Sequence, residues 1–271
     1  MHKSKFRLHF TRKDLCIPYG LFMLLFVVFP LLLILYYAFT DKTTGQFTFN
    51  NFVTVFSSQS NFKVIGVSIL VGLLNTICCL LIAYPIAYFL SNKKYNKNTV
   101  LVYLFIMPMW INFVIRTIAT KDILSWLGIT SADYPLLATI IGMVYNYLPF
   151  AILPLYSTML KLDKSQIEAA SDLGANSFYV FIKAILPMSV PGIISACLMT
   201  FMPTMSSYVI ADKLGGGKTT LIGNLIALNF GTSSNYNVGS VLALIMLVMI
   251  GISLIITKNS KKETNVRGGL W

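Results

Sequence analysis

The sequence predicts an all-α integral membrane protein of six transmembrane helices, with both termini on the cytoplasmic side. Three observations carry that expectation. Hydrophobic residues make up 56% of the 271-residue chain and charged residues only 11%, more apolar surface than a water-soluble core can hide. Six apolar runs each approach the ~20 residues needed to cross a hydrocarbon core. The Lys and Arg residues, finally, are divided unequally between the two sets of connecting segments.

The runs lie near Leu15–Phe39, Val64–Leu90, Thr99–Ile118, Pro135–Leu160, Ser189–Ile210 and Val238–Thr257. A bilayer offers no water to backbone N–H and C=O groups, so each run is expected to be a helix. The first follows a basic stretch from His2 to Arg7, as the core of a secretory signal does. Its apolar run is about twice a signal core, and no small-x-small cleavage site follows Phe39, so it reads as an uncleaved helix. Residues 1–63 then comprise a cytoplasmic N-terminus, this helix and an outer loop. Residues 64–257 hold the other five helices, and residues 258–271 form a cytoplasmic tail.

A formal charge of +12 in a soluble chain would suggest nucleic acid, but its distribution points elsewhere. Lys3, Lys5, Arg7, Arg12 and Lys13, then Lys93, Lys94 and Lys97, then Lys161, Lys164 and Lys183, then Lys258, Lys261, Lys262 and Arg267 fall on one side. Lys42, Lys63, Arg116, Lys121, Lys213 and Lys218 are left for the other. The positive-inside rule places the richer side in the cytoplasm, so the basicity reports topology.

Chemistry on a substrate is not expected. Cys16, Cys78, Cys79 and Cys197 sit in or beside apolar runs without a Cys-x-x-Cys pair, and the histidines are His2 and His9, so neither a metal site nor a disulfide framework is supported. No Gly-x-Ser-x-Gly or His-Glu-x-x-His occurs. Leu214-Gly-Gly-Gly-Lys-Thr-Thr220 imitates a phosphate-binding loop. The first glycine of such a loop is replaced by Asp212, whose charge repels a nucleotide phosphate. ATP and Mg2+ are therefore expected on another subunit, with no cofactor in this chain.

The segment between the fourth and fifth runs, 161–188, carries explicit helix punctuation. Ser165 with Glu168 three residues later has the pattern of a capping box, which predicts a short helix from Gln166. Gly174 is the natural stop, free to take a left-handed conformation. Asn176 or Ser177 can cap a second helix through Phe178, Phe181 and Ile182, and Pro187 and Pro191 are expected to break or kink the path into the fifth span.

The residues of this segment carry a resemblance. Glu168-Ala169-Ala170, then Gly174 after three residues, then Ala184-Ile185-Leu186-Pro187 after nine more, resembles the EAA motif of type I ABC importer permeases. Ala184 departs from that motif, which usually has Ile there. The resemblance implies a type I permease fold in a bacterial plasma membrane, with 161–188 as the segment that seats on a cytoplasmic ATPase. Ala169, Ala170 and Gly174 would allow close backbone approach, with Glu168 and Asp172 available for contact and Leu186 and Pro187 leading into the membrane.

Trp110 to Arg116, Leu124, Gly128, Asp212 to Gly217, Ile222 to Ile226 and Phe230 further resemble polyamine permeases of the PotB type. That implies spermidine or putrescine as solute. The implied partners are an ABC ATPase dimer, a second, PotC-like permease and an extracytoplasmic, PotD-like polyamine-binding protein. A polycation needs aromatic faces and oxygen acceptors along its route. Residues of that kind at suitable depth are Trp110, Asn112, Tyr145, Asn146, Tyr147, Tyr208 and Asp212. Trp110 and Tyr208 equally suit an interfacial belt, Asn112 and Asn146 an interhelical bridge, and Asp212 the start of a loop.

Arg116 suits a cation route poorly; it is expected to pair with Asp122 or Asp133, or to extend outward. Other readings remain open: an ABC importer for iron, sulfate, thiamine or a phosphonate, an ion-coupled secondary transporter, or a membrane anchor. The expected helix interiors contain no Asp or Glu, which weighs against ion coupling.

Overall fold

The structure, a computed structural model, describes residues 16–92, 96 and 100–267, the side chains of residues 164 and 256–267 excepted. The basic stretch before Cys16, the lysines at 93, 94 and 97, and the last residues of the tail lie outside the described residues, so the expected side of the membrane for both termini rests on charge counting alone.

Among the described residues, eleven helical elements follow in order. They are α1 (Cys16–Ala38), α2 (Asn50–Ser57), α3 (Gln59–Ser91), α4 (Val100–Trp110), α5 (Phe113–Trp126), α6 (Pro135–Met159), α7 (Lys164–Asp172), α8 (Ser177–Ser206), α9 (Tyr208–Gly215), α10 (Ile222–Phe230) and α11 (Tyr236–Arg267). Five of them, α1, α3, α6, α8 and α11, are long and apolar enough to cross a bilayer singly, and the pair α4 and α5 reaches that standard together.

That pair corrects the third expected span. The run from Thr99 to Ile118 is uniformly apolar, yet α4 and α5 meet at 96°. Around Pro108 the helix tightens into a 3-10 turn over Met107–Trp110, and Ile111 is extended. The Asn112 side chain then accepts a bond from the Val114 N–H at 2.9 Å, starting a new helix. A capping residue after a proline-tightened turn ends one helix and begins another, whatever the hydropathy.

The fifth expected span, 189–210, shifts for related reasons. Pro187 has no N–H to return, and the chain widens into a π turn over Phe181–Ile185 where a break was expected, so α8 runs on from Ser177. Pro191 lies inside α8 without ending it. At the far end Ser207 is extended, which separates α9 from α8.

The core is built by α3, α6 and α8 packing on one another. Near the end that carries 160–186, Cys79, Ala83, Ala87, Leu90, Ala151, Ile152, Leu155 and Ala196 form one buried cluster. A second cluster joins α9 to the opposite half through Val71, Ala138, Met143, Ile210, Ala211 and Leu214. A third, with Ala38, Val55, Val241 and Leu242, seats α1 against α11.

Helices in lipid gain by close approach and by hydrogen bonds away from water. Both devices are present. Asn75 donates to Thr204 at 2.7 Å, Tyr84 and Ser189 hydroxyls lie 2.8 Å apart, and the Ile222 N–H donates to Ser68 Oγ at 2.8 Å. A Cβ at Gly223 would strike the Ser206 carbonyl oxygen.

Candidate functional site

At one end of the bundle the chain forms the helix, turn, helix expected between the fourth and fifth spans. The cap differs by two residues from expectation. Asp163, not Ser165, accepts the Ser165 N–H at 3.0 Å and also takes the Ser165 hydroxyl at 2.6 Å. Asp precedes Ser here, and its Oδ1 accepts from both Ser165 groups at once, so α7 starts at Lys164. These bonds, the Ser165 hydroxyl first, hold the Asp163 carboxyl below the ordinary carboxylate range.

Gly174 ends the segment at φ +82°, with its N–H on the Ser171 carbonyl at 3.0 Å. Asn176 then caps α8 through the Tyr179 N–H at 2.8 Å. Ala169, Asp172 and Pro187 are exposed, while Ala170 and Leu186 are half-buried. Leu173 is 88% exposed, and Phe178 and Tyr179 stand out beside it, so this turn carries an exposed apolar patch. Glu168 lines a cleft of about 230 Å3 with Tyr88, Ser91, Met159, Leu162, Ile167 and Ile185.

The bend between α4 and α5 creates the other feature. A cavity of about 510 Å3 is lined by Met109, Trp110, Ile111, Asn112, Phe113, Arg116, Asn146, Tyr147, Phe150 and Ile210. The bend delivers Trp110 from α4. Asn112 and Arg116, four apart, share one face of α5, as Asn146 and Phe150 do on α6. Tyr147 is fixed by its hydroxyl on the Pro203 carbonyl at 3.2 Å.

Arg116 is the main correction at the site. It pairs with neither Asp122 nor Asp133, and it does not extend outward: it is 7% exposed, and its Nε and Nη1 have no partner. Asp133 is bound to the Thr130 hydroxyl at 2.6 Å, and Asp122 is exposed on another face of α5. The Arg116 guanidinium lies 6.0 Å from the centre of the Tyr145 ring. Asn146 is equally buried at 2% exposure; its amide donates to the Gly142 carbonyl, leaving Oδ1 without a partner.

Of the expected pathway residues, Trp110, Asn112, Asn146 and Tyr147 meet in this cavity. Tyr145 stands beside Arg116 without lining it. Tyr208 and Asp212 flank Ile210 at two residues on either side, and residues two apart on a helix face opposite ways. They point outward, Asp212 pairing with Lys213 at 3.0 Å. Arg116, Phe150 and Ile210 are additions; the i, i+4 relation of Asn112 and Arg116 is the sequence signal for the first. Lys218, in the loop that imitates a phosphate site, donates to the Ala132 carbonyl at 2.6 Å and ties two loops together.

A bent-span helical bundle with a capped, apolar-tipped connecting segment at one end and, at the bend, a largely apolar cavity that holds Asn112, Arg116 and Asn146 defines a multi-pass membrane permease subunit. The chain belongs to the family of binding-protein-dependent transport system inner membrane components, whose pattern matches residues 15–262. Among its relatives, the spermidine/putrescine transport system permease protein PotB of Escherichia coli K12 is 34% identical over 90% of this chain and 95% of its own. That of Haemophilus influenzae is 36% identical over 90% and 91%. A PotB homolog of Mycoplasma genitalium is 28% identical over 81% and 80%.

Solved structures share the fold. A chain of a bacterial alginate ABC transporter, in complex with an alginate pentasaccharide-bound periplasmic protein, superposes with TM-score 0.71 at 15% identity, covering 93% of this chain and 94% of that one. One of the inward-facing MetNI methionine ABC transporter gives 0.57 at 15% identity, over 76% and 99%.

Proposed function

We propose that this chain is the permease subunit of an ATP-driven importer of polyamines, spermidine or putrescine, forming half of the pathway. The observation that carries the reading is the identity of 34–36% with spermidine/putrescine permeases over nine-tenths of the chain. The partners on this reading are an ABC ATPase dimer, which binds ATP and Mg2+, a PotC-like second permease and a PotD-like extracytoplasmic binding protein. Residues 161–188 face the cytoplasm and seat on the ATPase through Glu168, Ala169, Ala170, Asp172 and Gly174. The cavity supports the solute class, because Trp110, Tyr147 and Phe150 offer ring faces to an ammonium group.

A second reading has one specific observation behind it. A cation held ~6 Å from an uncompensated Arg116 is disfavoured by about 3 kcal/mol at an effective dielectric of ~20, roughly a hundredfold in occupancy. An anionic solute such as sulfate or a phosphonate would meet Arg116 favourably. Competition decides: on the assembled complex, uptake of labelled spermidine inhibited by unlabelled spermidine but not by sulfate or phosphonate supports the first reading, and the reverse supports the second.

A further inference from the structure

We propose that the cavity is completed by a carboxylate side chain of the second permease subunit, which enters beside Trp110 and pairs with Arg116; this rests on the two-permease reading above. Arg stays protonated at any physiological pH, and a buried charge without a counter-charge is strongly unfavourable. Within the described residues this chain supplies none. Asp41 is engaged by Thr43 and Thr44, Asp133 by Thr130 and Asp212 by Lys213, and Asp122 is exposed on another face of α5. Asp163, Glu168 and Asp172 belong to the coupling segment at the other end of the α6 core.

The polyamine cannot be the missing partner, since it carries the same sign. The cover is a membrane helix, because the rim is apolar and lies on the bent span: Trp110 is 79% exposed, and Ile111 and Phe113 stand open beside it. A carboxylate is the group on such a helix that matches both the charge and the donors of a guanidinium. Neutralising Arg116 also removes the repulsion of an incoming ammonium and leaves it the ring faces of Trp110, Tyr147 and Phe150, so the polyamine position exists only once both subunits are assembled.

The test uses the complete transporter, with this chain tagged and the second permease recovered with it from detergent. Arg116→Glu is expected to lower that recovery about tenfold or more, Arg116→Gln to lower it less, and one Asp or Glu to Arg change among the second subunit's membrane helices to restore recovery with Arg116→Glu to within about twofold. Wild-type recovery with Arg116→Glu, or rescue by none of those changes, overturns the proposal. If Arg116→Glu fails to accumulate in the membrane, Arg116→Cys is paired with cysteine at the same acidic positions. A cross-link at one of them by a bifunctional thiol reagent as long as an Arg–carboxylate pair supports the pairing, and none at any overturns it, a direct disulfide being too short for that span. Recovery is read without solute, so it judges the pairing independently, whereas absence of spermidine uptake by the wild-type complex counts against the polyamine reading alone.

Discussion

At Gly223 a single methyl group would meet the Ser206 carbonyl oxygen, a backbone atom that cannot swing aside, whereas Gly66 has open space around it. Gly223→Ala is therefore expected to lower the unfolding midpoint in detergent, and Gly66→Ala to leave it unchanged or raise it, as read by a thermal-shift assay. Asp163 gives a pH prediction. Its folded pKa is depressed, so the cap is fully present above the unfolded carboxylate value of about 3.9 and fades only as pH falls below it. Coupled ATP hydrolysis should show no loss from this group between about pH 5 and 8; Asp163→Asn, which keeps an oxygen acceptor, should hold the coupling, and Asp163→Ala should weaken it. At this scale the sequence shows residue type but not depth. Arg116 reads as an outer-end cation because its neighbours in sequence are apolar in either case, and only the bend at Ile111 and Asn112 turns it inward.

Among the elements, the segment 161–188 was the most legible, because caps and stops are local signals. Gly174 and Asn176 both fall where their chemistry puts them, and the start slipped by two residues only because Asp163 and Ser165 are both capping residues and Asp163 engages the other. The long spans were legible from length and hydropathy, while the breaks at Asn112 and Ser207 were not, since one capping side chain at Asn112 or one extended residue at Ser207 inside an apolar run leaves its average hydropathy almost unchanged. The π turn before Pro187 was hidden for a different reason: sequence marks where a ladder bond is lost, not how the helix absorbs it. Glu168→Lys and Gly174→Leu are expected to leave the protein at normal membrane levels while solute-stimulated ATP hydrolysis falls about tenfold; Leu at Gly174 must take φ +82°, which costs about 1–2 kcal/mol in a residue with a Cβ. Normal stimulation with both variants would remove this segment from energy transfer.

On the proposed reading, the whole molecule separates two tasks along its length. The capped turn at one end offers Leu173, Phe178 and Tyr179 to a partner, and the cavity at the α4–α5 bend gathers four of the residues expected along the pathway, Trp110, Asn112, Asn146 and Tyr147. The α3, α6 and α8 bundle connects them; its buried Asn75 to Thr204 bond is worth about 0.6–1.7 kcal/mol in a membrane setting. The most direct measurement is ATP-driven uptake of labelled spermidine by the reconstituted transporter, comparing wild type with Asn146→Leu and Trp110→Ala. The account predicts spermidine uptake by the wild type that requires ATP, and a fall of about tenfold in each variant, with assembly retained in Asn146→Leu. Uptake of spermidine at background level by an assembled, ATP-hydrolysing complex, or wild-type rates with both variants, would contradict it.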